Sequence, residues 1–337
     1  MKRKKSHEKA TIRNVAELAN VSVASVSRYL NNKATGRLSK EKAQAIEKAI
    51  KTLNYIPDIA ARQMATNQSK TIAVVVSNID DYFSTELFKG ASNILRLKGY
   101  EAFLLDTNAD QNREKELIKT VSSSFFDGLL FQPFGSNFRN IKSEFVHDIP
   151  TVILDRRLAS LHWPQVISNN IEVSKNATKY FLNKGCDDFL ILSSEVKIAS
   201  TRRDRYSGIC FVAKPEQIHL IQIDEETYNY SAIKRKIEAF LQKQKEKGKK
   251  TLIFCFKERW LLEFIPMLMA DGYLDNENVF VTGFADTKLA QLILPQSKLI
   301  SQNPYLMGAS AAEILLNLLV NKVKPQEFQP LVIAAKF

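Results

Sequence analysis

Residues 11–31, TIRNVAELANVSVASVSRYLN, constrain the fold more than any other stretch of the chain. Val15, Leu18 and Ala19 recur at helical spacing, and Val21, Val26 and Leu30 do so again after a break at Asn20-Val21-Ser22. The spacing predicts two short amphipathic helices joined by a tight turn and sharing one small core. Ser22 is placed to cap the second helix through its hydroxyl, which leaves Val23, Ala24, Ser25, Ser27 and Arg28 on the face turned away from that core. Side chains this short allow a helix to approach base edges in the DNA major groove. Val23 and Ala24 can meet thymine methyl groups, while Ser25, Ser27 and Arg28 can hydrogen-bond bases or phosphates. An ordinary surface helical hairpin has the same periodicity, so pattern alone leaves both readings open.

Charge favours the nucleic-acid reading. Residues 1–70 carry 15 Lys and Arg against 5 Asp and Glu, whereas the whole chain carries 48 against 36. The remainder therefore holds 33 against 31, and nearly all of the net +12 lies in the first fifth of the chain. Such a local excess favours a polyanion through counterion release. The leading MKRKKSHEK reads as a solvated tail. A third helix follows, capped by Ser39, with Ala43, Ile46, Ala49, Ile50 and Leu53 as its apolar stripe and Asn54-Tyr55-Ile56-Pro57 as its stop. A headpiece over residues 1–56 is thus predicted, with residues 57–70 as a helix-capable segment and linker.

Beyond residue 70 the composition changes. TIAVVVSN, EAFLLDT and GLLFQPF alternate with helical segments through Leu87–Lys98 and Glu114–Ser122, and FLILSS, HLIQI, TLIFCF and VFVTGF continue the rhythm after residue 170. The expected fold class is α/β: an all-α headpiece followed by two lobes, each a parallel sheet flanked by helices. An enzyme on such a scaffold would need a phosphate loop or a nucleophile with its base. No GxGxxG or Walker-type cluster occurs among only 11 glycines, so no enzymatic activity is expected. Cys186, Cys210 and Cys255 are widely spaced, which suggests buried reduced thiols. His7, His147, His162 and His219 lack metal-ligand spacing, so neither metal nor cofactor is expected. No segment reaches transmembrane length and no signal-peptide core leads the chain, so a cytoplasmic protein is expected.

On the motif VAELANVSVASVSRYLN and the strand–helix rhythm behind it, the chain resembles the lactose repressor and galactose repressor family of bacterial transcription factors, from Thr11 to about Val332. The resemblance implies that residues 23–30 are the recognition helix and that Thr11 and Asn31 join its DNA contacts. It also implies that residues 57–65 form a hinge helix that pairs with its dimer mate in the minor groove. Ala60 and Ala61 are small enough for close approach, and Met64, where the family commonly has leucine, would wedge a base step or pack between the two hinge helices. The expected partners are a pseudo-palindromic double-stranded operator read by a homodimer, and a small sugar-like effector; the effector's action is either induction or corepression. No heptad-bearing segment occurs toward Phe337, which favours a dimer over a tetramer built through one. A sugar-binding transport protein and a regulator controlled by a protein partner are the other readings of the same two-lobe core.

The core implied is periplasmic-binding-protein-like, with one lobe over 71–168 and about 302–330 and the other over 169–299 and about 331–337. Its effector residues are sought at strand ends. Asn78, Asp81, Tyr82 and Phe83 follow the first strand, Asn108 the second, and Gln132 and Phe134 the third. Asp155-Arg156, matching the family's aspartate–arginine pair, ends the fourth and serves either the ligand or an ion pair. Arg205 in TRRDRYSG falls on the family's effector arginine, and Gln302 on the late crossing is a further candidate. Two departures stand out: Lys257-Glu258 where the family commonly has asparagine-aspartate, and Ala285-Asp286 where it has two aspartates. Together with Arg205 they lean toward a sugar acid or a sugar phosphate, unless Lys257 is simply solvated.

Overall fold

The computed structural model describes residues 10–30, 38–56, 68–123, 126–225, 227–274 and 277–337. The chain divides into two compact units, residues 1–69 and 70–337.

In the first unit, α1 (Ile12–Leu18), α2 (Val23–Leu30) and α3 (Lys40–Leu53) enclose Val15, Ala16, Ala19, Val26, Ile46 and Ala49. Each helix starts where the sequence supplies a cap. Thr11 and Asn14 form a capping box on α1, Ser22 Oγ accepts the Ser25 N–H of α2 at 3.2 Å, and Ser39 Oγ accepts the Lys42 N–H of α3. Asn20, at φ 52°, makes the tight turn between α1 and α2 in a left-handed conformation that asparagine tolerates. One expected core residue is outside: Leu18 is 53% exposed, because it lies about 100° round α1 from the centre of the face made by Val15, Ala16 and Ala19. Asn31, and the hinge residues Ala60, Ala61 and Met64, lie outside the described residues.

The second unit holds two parallel sheets. The first lobe contains β1 (Thr71–Val76), β2 (Glu101–Asp106), β3 (Gly128–Phe131), β4 (Thr151–Asp155), β5 (Gln165–Ser168) and β10 (Leu331–Ile333), in the order β10-β5-β4-β3-β1-β2. The second lobe contains β6 (Asp188–Ser193), β7 (Ile218–Gln222), β8 (Thr251–Cys255) and β9 (Val279–Gly283), in the order β7-β6-β8-β9. Central strands are apolar at successive positions and buried on both faces, as a sheet covered by helices on each side requires. The placement of residues 331–337 in the second lobe needs correction. Leu331–Ile333 pairs with Val166–Ser168 in the first-lobe sheet, and only the end of the chain, where Lys336 bridges Ser301 and Ala335 packs with Phe284 and Ile300, belongs to the second.

Helices α4 (Tyr82–Leu97) and α12 (Pro304–Val320) cross on the first lobe at nearly backbone contact. A Cβ on Gly90 would meet the Tyr305 carbonyl at 2.0 Å, and one on Gly308 the Leu87 carbonyl at 1.9 Å, so glycine is required at both positions. This crossing fixes the start of α4, which carries Tyr82 and Phe83, beside the chain crossing that carries Gln302. Cys186 and Cys255 are buried as expected, but Cys210 is exposed. It ends α8 (Ser200–Cys210) about 140° round the helix from buried Arg205. Among the described residues no helix is long and apolar enough to cross a membrane.

Candidate functional site

In the headpiece, Val23, Ala24 and Arg28 are exposed on one side of α2 and Ser22 is exposed at its cap, while Ser25 and Ser27 are half-buried. The Ser22 and Ser25 hydroxyls lie 3.0 Å apart in the helix cap, and Arg28 Nε donates to the Ala24 carbonyl at 3.2 Å, which lays the guanidinium along the helix. The Thr11 hydroxyl donates to Asn14 at 2.7 Å, so its first duty is the capping box. Arg13 and Lys42 border a shallow hollow with Ser22, Val23 and Ser25. Neither was singled out in the sequence; their signal was only the basic excess of the headpiece.

In the second unit a cleft of about 370 Å³ lies between the lobes. Its walls come from the segments that follow β1, β3 and β4 in the first lobe and β6, β8 and β9 in the second, around the points where each strand order reverses, between β1 and β3 and between β6 and β8. Of the predicted effector residues, Asp81, Tyr82, Phe83, Gln132, Arg156, Arg205, Lys257, Asp286 and Gln302 line it. Asn78, Asn108 and Phe134 do not. Asn108 follows β2, an edge strand beyond the reversal point, and is exposed. Asn78 is buried and uses Oδ1 to accept the Asp80 N–H at 2.7 Å, shaping the loop instead of the cavity. Phe134 supports Arg156, its carbonyl accepting from Nη1 at 3.3 Å while its own N–H donates to Glu114.

Asp155 and Arg156 are not paired with each other. Asp155 Oδ2 accepts from Gln132 Nε2 at 2.9 Å, and Oδ1 has no partner among the described residues. Arg156 donates to Ser77 Oγ at 2.8 Å and to the Pro133 carbonyl at 3.0 Å. Asp155 sits at φ 59°, a left-handed position unusual for a residue with a side chain, at the end of β4 where the chain turns into the cleft wall.

Arg205 is buried and its fork is filled. It donates to Asn170 Oδ1 and Gln302 Oε1, each at 2.9 Å, and to the Phe256 carbonyl, and it lies 3.6 Å from the centre of the Phe284 ring. Burial chiefly brings its pKa down to about 10, with Asp155 opposing. Lys257 is not solvated: Nζ lies 3.0 Å from Asp81 and 2.7 Å from Glu225. Burial alone would raise the Glu225 carboxyl, but the Lys257 ammonium, the Ser194 hydroxyl and Arg202 hold it down at about 2. The positive charge expected at the cleft mouth is therefore already neutralised, and the Lys257 argument for an anionic effector fails. Arg202, Glu225, Arg259, Glu263 and Phe284 were not anticipated. Arg202 was legible only as one more arginine in TRRDRYSG, and Glu225 lies in a loop that no motif marks.

Residues 11–58 match the bacterial regulatory proteins of the lacI family, and residues 72–322 match the periplasmic binding protein domain. A solved LacI transcriptional regulator from Lactobacillus brevis is 43% identical, with a TM-score of 0.72 over 79% of this chain and 98% of its own. The transcriptional regulator KdgR of Bacillus subtilis is 28% identical over 316 residues, covering 93% of this chain and 92% of that protein. The Lac repressor dimer bound to operator and the anti-inducer ONPF, 19% identical, shares the fold with a TM-score of 0.78 over 98% of each chain. With the helix–turn–helix face in one unit and the interlobe cleft in the other, the chain belongs to the lacI family: it is a DNA-binding transcriptional regulator and not an enzyme.

Proposed function

We propose that this regulator acts in the cytoplasm as a homodimeric repressor of sugar-utilisation genes, binding a pseudo-palindromic operator and switched by a small sugar-like effector in the interlobe cleft. The observation that carries this reading is the cleft itself, whose lining is drawn from both lobes and from the chain crossing at Gln302. A ligand touching both lobes distinguishes between their arrangements, and only such differential affinity can be linked to DNA binding. Tyr82 and Phe83 supply an apolar face for sugar C–H groups, and Gln132, Asp155 and Asp286 supply hydrogen-bonding groups for hydroxyls. A cavity near the lower end of the usual ligand range suits a monosaccharide better than an oligosaccharide. On the headpiece, Val23, Ala24 and Arg28 are the base- and phosphate-facing residues, with Thr11, Ser22, Ser25 and Ser27 beside them. Sites selected from random DNA by the purified protein, followed by titration of the bound complex with monosaccharides, test the reading. A two-half-site consensus whose affinity moves with one sugar-like compound supports it; binding without sequence preference, or indifference to every compound, overturns it.

A further inference from the structure

The cleft's charges fall into two groups. Toward the mouth, carboxylates and cations satisfy one another: Lys257 holds Asp81 and Glu225, and Arg259 Nε lies 3.9 Å from Glu263. Asp286 Oδ1 accepts from Ser301 Oγ and from the Gln302 and Asn303 N–H groups, and Glu258 accepts from the Asp286 and Thr287 N–H groups. Around Arg156, Arg202 and Arg205 the balance differs. Among the described residues, Arg156 and Arg205 have no carboxylate oxygen within 4.0 Å and are satisfied only by neutral oxygens. Arg202 has one, Glu225 at 3.5 Å, which Lys257 and Ser194 hold more closely at 2.7 and 2.5 Å.

Two of these arginines also have hydrogen-bonding capacity in reserve. Arg156 and Arg202 are 6% and 5% exposed, both line the cleft, and each leaves Nε without a partner among the described residues. Gln302 Nε2 and Asp155 Oδ1 are in the same condition. A buried unpaired donor on a cation is costly, and two such cations repel each other, so the arrangement is relieved by an anion that both can reach. Arg156 comes from the first lobe and Arg202 from the second.

We propose that the effector is a monosaccharide-sized polyol bearing an oxyanion, a carboxylate or a phosphate, and that this group is held between Arg156 and Arg202 across the lobes. The proposal rests on the reading of the cleft as an effector site. Planar guanidinium forks suit either oxyanion, and an anion gripped from both lobes favours their closed arrangement. Asp155 Oδ1, Gln132 and Gln302 are then left for the hydroxyls. Arg202 is the residue that makes the site select an acid over the matching neutral sugar, whereas Arg205, its fork already filled, positions Gln302 and Phe284.

Isothermal titration calorimetry of the full-length protein with D-glucuronate, D-galacturonate, D-gluconate, glucose 6-phosphate, glucose and galactose tests this. The expected result is that one of the four anions binds at least about 10-fold more tightly than its neutral counterpart. That preference falls by about 10- to 100-fold in Arg202→Gln and is partly restored in Arg202→Lys, which also keeps the charge in place should the glutamine variant fail to fold. The carboxylate and phosphate arms identify which oxyanion is used. A neutral sugar that binds as tightly as its acid, with an affinity unmoved by Arg202→Gln, overturns the anionic assignment and leaves the effector cleft standing. No binding by any of the six compounds overturns both.

Discussion

Lys257 reaches from the second lobe to within 3.0 Å of Asp81 on the first, and the same ammonium lies 2.7 Å from Glu225 on its own lobe. One ammonium thus bridges two carboxylates, with Arg202 beside Glu225 supplying the second positive charge, and ties the lobes together across the cleft. Arg157 and Asp204, 3.0 Å apart, make a second tie between the lobes, more exposed on the arginine side. A ligand that widens the cleft must work against both contacts, whereas one that fits the closed cleft need not.

Removing the cation leaves two largely buried carboxylates facing one another. Lys257→Met should therefore lower unfolding stability by about 1–3 kcal/mol. Adding Glu225→Gln to it should recover part of that loss, because one of the stranded charges is gone. Urea denaturation of the wild type, the single and the double variant checks the prediction, and a single variant as stable as the wild type would show that the contact contributes nothing.

Glu114 gives stability a pH dependence of its own. Burial raises its pKa from 4.5 to about 7, although the Phe134 N–H and Arg156 pull in the other direction. A carboxyl whose folded pKa lies above its unfolded value contributes stability that is complete below about pH 4.5 and is lost as pH rises through about 7. The loss across that window is on the order of 3 kcal/mol. Glu114→Gln cannot ionise, so the fall in melting temperature between pH 4.5 and 7.5 should be shallower in the variant than in the wild type.

Helix crossing at Gly308 tolerates no added carbon. The nearest atom to a Cβ there is a backbone carbonyl at 1.9 Å, which cannot swing aside as a side-chain end would. Gly308→Ala should cost about 3 kcal/mol, and the melting temperature should drop accordingly. Ala309→Gly, one residue along the same helix, is the comparison: it should cost about 1–2 kcal/mol, from helix propensity and the loss of one buried methyl, with no steric clash.

For the headpiece, Arg28→Ala should weaken operator binding by about 1–3 kcal/mol and reduce the slope of log affinity against log salt by about one if the guanidinium meets a phosphate. Fluorescence anisotropy of a labelled operator across a potassium chloride series measures both quantities. Loss of sequence preference with an unchanged slope would instead assign Arg28 to a base.

What the sequence determined by itself is what local periodicity and capping encode. Ser22 and Ser39 start their helices where a hydroxyl followed by an apolar stripe requires it, Asn20 makes the turn, and β-branched runs such as TIAVVV become central strands buried on both faces. Strand ends then located most of the cleft, because ligands gather where a parallel sheet's order reverses. Only the tertiary structure decided which strand ends those are and what their charges meet. Asn108 was excluded because β2 lies at a sheet edge, and Leu331–Ile333 joined the first lobe because its hydrogen bonds go to β5. Lys257 lost its free charge to Asp81, 176 positions earlier in the chain, and to Glu225 in an unmarked loop. Arg202, which read as one arginine among several, keeps an unfilled donor at the cleft. Caps and periods involve neighbours a few residues apart and are written locally, whereas the pairing of a buried charge depends on long-range packing that brings distant segments to the same few ångströms.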